Sequence, residues 1–227
     1  MSPRERMPSR APMGVLVVAG SDGVGASVAA SLLALEAQAE GARVLIVGPS
    51  LRAQRIAALF GVLLPTTDAP PVRIDRDIHV CGSMPRISGA DVVLCVPASR
   101  AQSMLDAVDV LAAHTTPATA LVLADRGAGA LAASFAALKL ILGRRPQLKA
   151  AVTPCGDADV SALHHAVERW LGRSLLAAPA LPIDPTLPVA LGAGIPLADA
   201  VHETALTLAA GALWSALSTS APLGATA

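Results

Sequence analysis

A short apolar run leads directly into a glycine-rich turn near the start of this 227-residue chain. The run is GVLVVA at 14–19, the turn is GSDGVGAS at 20–27, and a helix-length stretch rich in alanine and leucine extends to 40. A second apolar run, ARVLIVG, follows at 42–48. Parallel strands need a crossover of about this length, usually a helix. The opening of the chain therefore predicts a βαβ unit and a parallel sheet.

The same alternation continues along the chain. Further strands are predicted to begin at Ile78, Asp91, Thr119 and Leu148, and helices to cover 99–113, 128–142, 159–171 and 199–217. Near-continuous apolar strands are typical of a sheet that is covered on both faces. The sequence thus predicts an α/β fold, with a mostly parallel sheet and helices on both faces. We expect one domain over 14–217, a flexible N-terminus at 1–13, a frayed tail at 218–227 and a proline-rich surface connection at 63–76.

Composition excludes several classes of function. Seventeen basic and seventeen acidic residues cancel, and aromatic residues make up 2% of the chain, so nucleic-acid binding is not expected. Cys81, Cys95 and Cys155 lack the spacing of a disulfide framework or a zinc site, which favours a reducing compartment. No run is long and apolar enough for stable membrane insertion. The arginines before the first apolar run allow a signal peptide, but that run enters the turn at once, so we expect a cytoplasmic protein.

The turn has most of the spacing of a phosphate-cradling loop, G-x-x-x-x-G-K-[ST], in which backbone N–H groups and a helix N-terminus point at a phosphate. Gly20, Gly25 and Ser27 match, whereas Ala26 stands at the lysine. Two simpler interpretations stay open. The glycines can form a tight connection that lets the helix pack close to the sheet, and we expect Ser27 to satisfy backbone groups at the helix start.

At these residues the sequence resembles the MinD/ParA group of P-loop ATPases, whose loop reads roughly G-K-G-G-V-G-K-[ST]. The corresponding loop residues are Gly20, Ser21, Asp22, Gly23, Val24, Gly25, Ala26 and Ser27. By the resemblance, Ser21 replaces the lysine that crosses to the partner in the ATP-bound dimer, and Ala26 replaces the phosphate-binding lysine. Asp22 adds a carboxylate to the turn. Every change lowers the positive charge of the loop.

The resemblance extends to the positions of the family's acidic residues. VLIVGPSLRAQRIAALFGV at 44–62 is similar to the family's V-L-L-I-D-A-D-L-R stretch, but Gly48 and Ser50 occupy the two aspartate positions. ADVVLCVPAS at 90–99 resembles the strand that carries the magnesium-linked aspartate. Val96 stands there, or Cys95 in the alternative register.

The C-terminal half resembles one branch of this group, the flagellar-number regulators FlhG/FleN. The spacing P-x-D-x-x-V-x-x-A-x-x-x-x-x-P is carried by Pro182, Asp184, Leu187, Ala190 and Pro196. WLG at 170–172 stands where the branch has F-L-G, and Lys139 falls on a lysine of the family's corresponding helix. The match covers roughly 14–215.

The resemblance implies a degenerate ATPase. Phosphoryl transfer depends on positioning and on positive charge around the γ-phosphate, and the loss of one such donor commonly costs ~10²–10³ in rate. We therefore expect no catalytic residue, no metal ligand set and no ATP-driven homodimer, and ATP with Mg²⁺ is disfavoured as a cofactor. Function would then lie in contacts with protein partners, by the resemblance those of flagellar assembly or its regulation.

Three alternatives remain open. The chain could bind ATP weakly, or serve pilus or cellulose assembly as a MinD-like accessory factor. A Rossmann-type dinucleotide site is a third, opposed by Val28 at the third glycine position and by Gly48 where an acidic residue belongs.

Two surfaces are candidates for partner binding. The first is the loop face around 21–26, which we expect to be nearly neutral without the lysines and open to close approach. The second is an apolar stripe on the last helix, formed by Leu206, Leu213, Trp214 and Leu217. No basic residue follows Arg173, so this stripe is not expected to target a membrane. We favour the loop face.

Overall fold

The computed structural model describes residues 11–20, 23, 25–64, 70–83 and 89–220. Ser21, Asp22 and Val24 of the loop lie outside these residues, as do 1–10 and 221–227 of the predicted flexible ends. The strands are β1 Met13–Ala19, β2 Val44–Val47, β3 Val72–Arg73, β4 Ile78–Cys81, β5 Val92–Cys95, β6 Ala118–Ala124, β7 Lys149–Pro154 and β8 Leu176–Ala177. The helices are α1 Ala26–Ala39, α2 Ser50–Leu59, α3 Ala101–His114, α4 Ala128–Arg144, α5 Ser161–Leu171, α6 Leu187–Gly192, α7 Leu197–Ala200 and α8 Ala205–Ser220.

The strands form one sheet in the order β3-β4-β2-β5-β1-β6-β7-β8. Every neighbouring pair is parallel except β3 and β4. β1 is hydrogen-bonded on both sides, so Leu16 pairs with Cys95 of β5 and with Ala120 of β6. The predicted fold class, a mostly parallel sheet with helices, is confirmed.

Two apolar layers enclose the sheet, because successive strand residues face opposite sides. Val15 and Val17 of β1 pack with helices α1, α2 and α8. Leu16 and Val18 pack with α3, α4 and α5 on the other side. Both faces of the central strands are therefore buried, which explains why these strands read as continuous apolar runs.

The structure adds α2, α6 and β8 to the predicted elements and departs from the prediction in two further segments. The segment 63–76 was expected to be only a surface connection, but Val72–Arg73 adds an antiparallel edge strand and Ile74 is buried. The predicted helix 199–217 is divided into α7 and α8. Glu203 adopts a left-handed φ of 57°, and the Thr204 hydroxyl accepts a hydrogen bond from the N–H of Thr207 at 3.4 Å. A left-handed residue interrupts a helix, so α8 starts afresh and ends at Ser220.

The apolar stripe of α8 belongs to the core of the domain. Leu206, Leu213, Trp214 and Leu217 are at most 5% exposed and lie in the layer that holds α1. The stripe is therefore already covered by the chain itself. Among the described helices, none combines the length and the apolar character that a bilayer span requires.

Candidate functional site

The loop after β1 lies at the carboxyl edge of the sheet, next to the ends of β2, β5 and β6. The connection through α1 leads from β1 towards β2, whereas α3 carries the chain from β5 to β6 on the other side of β1. Such a reversal of strand order opens a crevice outside the carboxyl ends of the strands, where α/β proteins bind ligands. The Gly20 N–H donates to the Leu123 carbonyl at 2.9 Å, which ties the start of the loop to β6. The sequence therefore places its glycine-rich turn at the expected site.

Left-handed glycines shape the described part of the turn. Gly23 and Gly25 both have φ of 90°, a conformation that glycine adopts without the penalty of a Cβ. Gly25 is the N-cap of α1, and its carbonyl accepts the first helical hydrogen bond from Ala29 at 2.8 Å. This backbone geometry suits a phosphate-binding loop and a simple tight connection equally. The side chains around the turn must therefore decide between these two interpretations.

Ser27 does not satisfy the backbone as predicted. The first turn of α1 has no side-chain cap, and the buried Ser27 Oγ has no hydrogen-bond partner in the described part of the chain. The neighbouring Ala26 is 2% exposed and offers no charge. A buried hydroxyl without a partner is unfavourable by about 1–3 kcal/mol, so the loop is left with one polar group that folding does not use.

Gly48 and Val96 lie side by side at the ends of β2 and β5. The Val96 N–H donates to the Val47 carbonyl at 2.8 Å, and the Val96 side chain is fully buried in the layer that holds α1. Cys95 faces the opposite layer, so Val96 is the residue that points to the side of the loop. A Cβ at position 48 would lie 3.0 Å from the Val96 carbonyl oxygen and 3.0 Å from the Cβ of Arg52. A side chain at position 48 would therefore be tightly packed, and its neighbours would have to shift by a few tenths of an ångström.

These residues do not fit a magnesium–nucleotide complex held in the usual P-loop way. Gly48, Ser50 at the start of α2, and Val96 provide no carboxylate for a metal, and Ala26 provides no cation for a phosphate. Within the described ranges, no three His, Cys, Asp or Glu side chains converge as metal ligands would. Positive charge near the loop comes instead from two arginines, Arg52 and Arg55.

Two arginines of α2 face the loop across an open recess. The recess has a volume of about 710 Å³, and its walls include Ser27, Val28, Arg52, Arg55 and Leu59. The expectation of a nearly neutral loop face is therefore wrong, because both guanidinium groups come from a helix that the sequence analysis did not predict. The signal was present in SLRAQRIAALF, where apolar residues at 53, 56 and 57 alternate with arginines three positions apart.

A second recess continues from the same arginines towards α3. Its volume is about 610 Å³, and its walls include Leu51, Arg52, Arg55, Ser99 and Arg100. The Arg52 guanidinium donates to Ser99 Oγ at 3.4 Å. Three cationic side chains thus line this edge of the sheet, and no carboxylate belongs to the described walls of either recess.

An apolar pocket of about 280 Å³ lies on the other side of the loop, between Gly25, Leu32 and Pro182. Asp184 lies at its rim and accepts hydrogen bonds from the hydroxyl and the N–H of Thr186, which lower the pKa of the Asp184 carboxyl. Burial raises the pKa of the Cys155 thiol in this pocket to about 11, with a further contribution from Asp125. Cys155 is therefore a neutral thiol near pH 7 and not an activated nucleophile.

Neither a protein-family model nor a curated protein matches this sequence. Solved structures match over most of the chain. A Cyanothece McdA–ATP complex is 14% identical with a TM-score of 0.69, and the match covers 92% of this chain and 98% of that one. A chain of the Aquifex aeolicus MinC:MinD cell division protein complex is 14% identical with a TM-score of 0.66, and the match covers 92% of this chain and 96% of that one. A ParA family ATPase from Chlorobium tepidum is 13% identical with a TM-score of 0.63, over 87% and 96%. The chain thus has the fold of the MinD/ParA group of P-loop ATPases.

Proposed function

We propose that this chain is a catalytically degenerate MinD/ParA-like protein that works in the cytoplasm through contacts with other proteins. Its role, by the FlhG/FleN-like spacing from Pro182 to Pro196, is the regulation of flagellar number or placement. One observation carries the proposal. The positions that should hold the phosphate and the metal carry Ala26, Gly48 and Val96, which are small or fully buried apolar residues.

The chemistry of phosphoryl transfer supports this proposal. An in-line displacement needs positive charge at the γ-phosphate and a metal that bridges the phosphate oxygens. Arg52 and Arg55 face the loop, but an arginine supplements a bound Mg²⁺ and does not replace the carboxylates that hold it. A neutral alanine at the base of the loop also removes the group that would fix the phosphates against the helix. This residue set therefore favours a protein that binds protein partners and does not hydrolyse ATP.

The first experiment measures ATP turnover and nucleotide binding on the purified chain. We expect no magnesium-dependent phosphate release above a blank and no rise in melting temperature with millimolar ATP, since stabilisation follows occupancy. Gly25→Val is the control, because valine is strained at a φ of 90° and closes the loop to any phosphate. Turnover that Gly25→Val abolishes would contradict the proposal. A melting shift without turnover would instead support the weak ATP binder.

The second experiment addresses partners and cellular role. Sedimentation should give the same species with and without ATP, because the residue that would reach across a nucleotide-bound dimer is Ser21 and not lysine. Deletion of the gene in its own host should change the number or position of flagella per cell. Normal flagella together with a defect in pilus or cellulose assembly would contradict the flagellar role and support the alternative role in pilus or cellulose assembly.

A further inference from the structure

We infer that this chain binds an acidic segment of a partner protein, in a groove formed by the two recesses that share Arg52 and Arg55. This arginine groove is defined by Leu51, Arg52, Arg55, Ser99 and Arg100. The inference rests on the proposed function, because it names the chemistry of the partner that the degenerate site would recognise. It makes the groove, and not the glycine loop alone, the contact surface.

The arginines occupy positions that the folding of their own helices does not favour. Arg52 is the third residue of α2, and Arg100 directly precedes the first residue of α3. The N-terminus of a helix carries partial positive charge, so acidic residues stabilise it and cations do not. The first turns of α1, α2 and α3 contain no acidic residue and no side-chain cap. Three helix starts and three arginines thus concentrate positive potential at one edge of a chain whose formal net charge is zero.

The groove arginines also lack the partners that other arginines of this chain have. Arg43 is paired with Asp91 at 3.0 Å, and Arg144 and Arg145 both contact Asp109. Within the described residues, no carboxylate lies at ion-pair distance from any of the three groove arginines. Arginine binds carboxylates through paired, charge-assisted hydrogen bonds. The Arg52 guanidinium donates to Ser99 Oγ, and the groove offers further guanidinium donors that an external carboxylate can engage.

Shape and apolar surface favour a protein segment over a small anion. The groove is elongated, since its two recesses of about 710 and 610 Å³ adjoin along α2. Leu51 lies in its wall and is 70% exposed, which offers an apolar contact beside the charges. A protein segment with alternating acidic and apolar side chains can use both features, whereas a phosphate uses only the charge.

The test measures the anisotropy of a short fluorescein-labelled peptide of repeated Glu-Asp-Leu triplets, titrated with the full chain. Peptides of Gln-Asn-Leu and Lys-Arg-Leu triplets serve as charge controls. The variant is Arg52→Glu/Arg55→Glu, which places acids near a helix N-terminus and so preserves the fold. Arg73→Glu/Arg76→Glu is the matched control, because both side chains are exposed, lie at the β3 edge, and have the same spacing and charge change. Thermal melts of all proteins confirm folding.

We expect only the acidic peptide to bind, with an affinity that falls as salt is raised. Arg52→Glu/Arg55→Glu should weaken binding by at least about tenfold, and Arg73→Glu/Arg76→Glu by less than about twofold. Equal losses in both variants, or equal binding of the neutral peptide, would overturn the inference. So would tighter binding of magnesium-free pyrophosphate than of the peptide, which would assign the groove to a free phosphoanion. ATP turnover on the same preparation is scored separately, so failure of the proposed function is distinguishable from failure of this inference.

Discussion

Replacement of Gly48 by alanine should destabilise the domain although alanine is normally the more stable residue. The Cβ of an alanine would lie 3.0 Å from the Val96 carbonyl oxygen and from the Cβ of Arg52, and 3.7 Å from the Ala53 nitrogen. Ordinary carbon contacts lie at about 3.5–4.0 Å. Two of the three neighbours are backbone atoms and the third is a Cβ fixed on α2, so none can rotate away. Either the end of β5 or the first turn of α2 has to move.

Overpacking of this kind costs about 1–3 kcal/mol. For a chain of this size each kcal/mol lowers the melting temperature by about 2–4 °C, so the expected decrease is about 2–12 °C. The assay is thermal and urea unfolding followed by circular dichroism. Gly143→Ala in α4 is the matched control, because nothing lies within 4 Å of a Cβ there, and it should stabilise by up to about 1 kcal/mol. Gly48→Ala at wild-type stability would refute the close approach.

Two further predictions concern a core tryptophan and a surface ion pair. Trp214→Ala should lower the free energy of unfolding by about 3–5 kcal/mol, because Trp214 is 4% exposed. Trp214→Phe should cost much less, because its buried Nε1 has no partner among the described residues; equal losses in urea unfolding would contradict this. The Arg43 guanidinium holds the pKa of Asp91 below its usual value, so the pair stabilises above the unfolded pKa of about 3.9 and this stabilisation is lost as pH falls through the lower folded pKa. Asp91→Asn should cost at most about 1 kcal/mol at pH 7, because the carboxylate is half exposed, and less as the pH falls through the folded pKa; a loss independent of pH would contradict the ion-pair account.

The central strands and their helices could be predicted because their periodicity is set by burial on both faces. β1, α1 and the strands from β4 to β7 begin within one or two residues of the predicted positions. α2 was missed because only Ala53, Ile56 and Ala57 are buried in ten residues, a weak pattern after a proline. The split between α7 and α8 depends on one left-handed residue, Glu203, which the amphipathic pattern does not reveal.

The glycine loop of the candidate site could be predicted and its surroundings could not. Spacing alone places Gly25 between a strand and a helix, so the loop follows from local sequence. The arginines lie on α2, which follows β2, and β2 is separated from β1 and its loop only by β5. The sheet order brings the arginines near the loop, and local sequence does not reveal that order. The buried, unpartnered hydroxyl of Ser27 is likewise a result of tertiary packing, and sequence favours the cap instead.

Under the proposed function Gly48 stands at a metal-ligand position, and it also lies beside the first turn of α2, which carries Arg52. A Cβ at 48 would lie 3.0 Å from both the Val96 carbonyl oxygen and the Cβ of Arg52, and the Arg52 guanidinium donates to Ser99 Oγ at 3.4 Å. The Cβ of an aspartate at this position would lie 3.0 Å from the Val96 carbonyl oxygen, closer than an ordinary contact, so we expect α2 and the end of β5 to move apart. An aspartate at 48 should thus separate the two arginine-bearing helix starts that form the groove. On the proposed function, the residue that offers no metal ligand would therefore also be one that lets α2 and α3 present their arginines together.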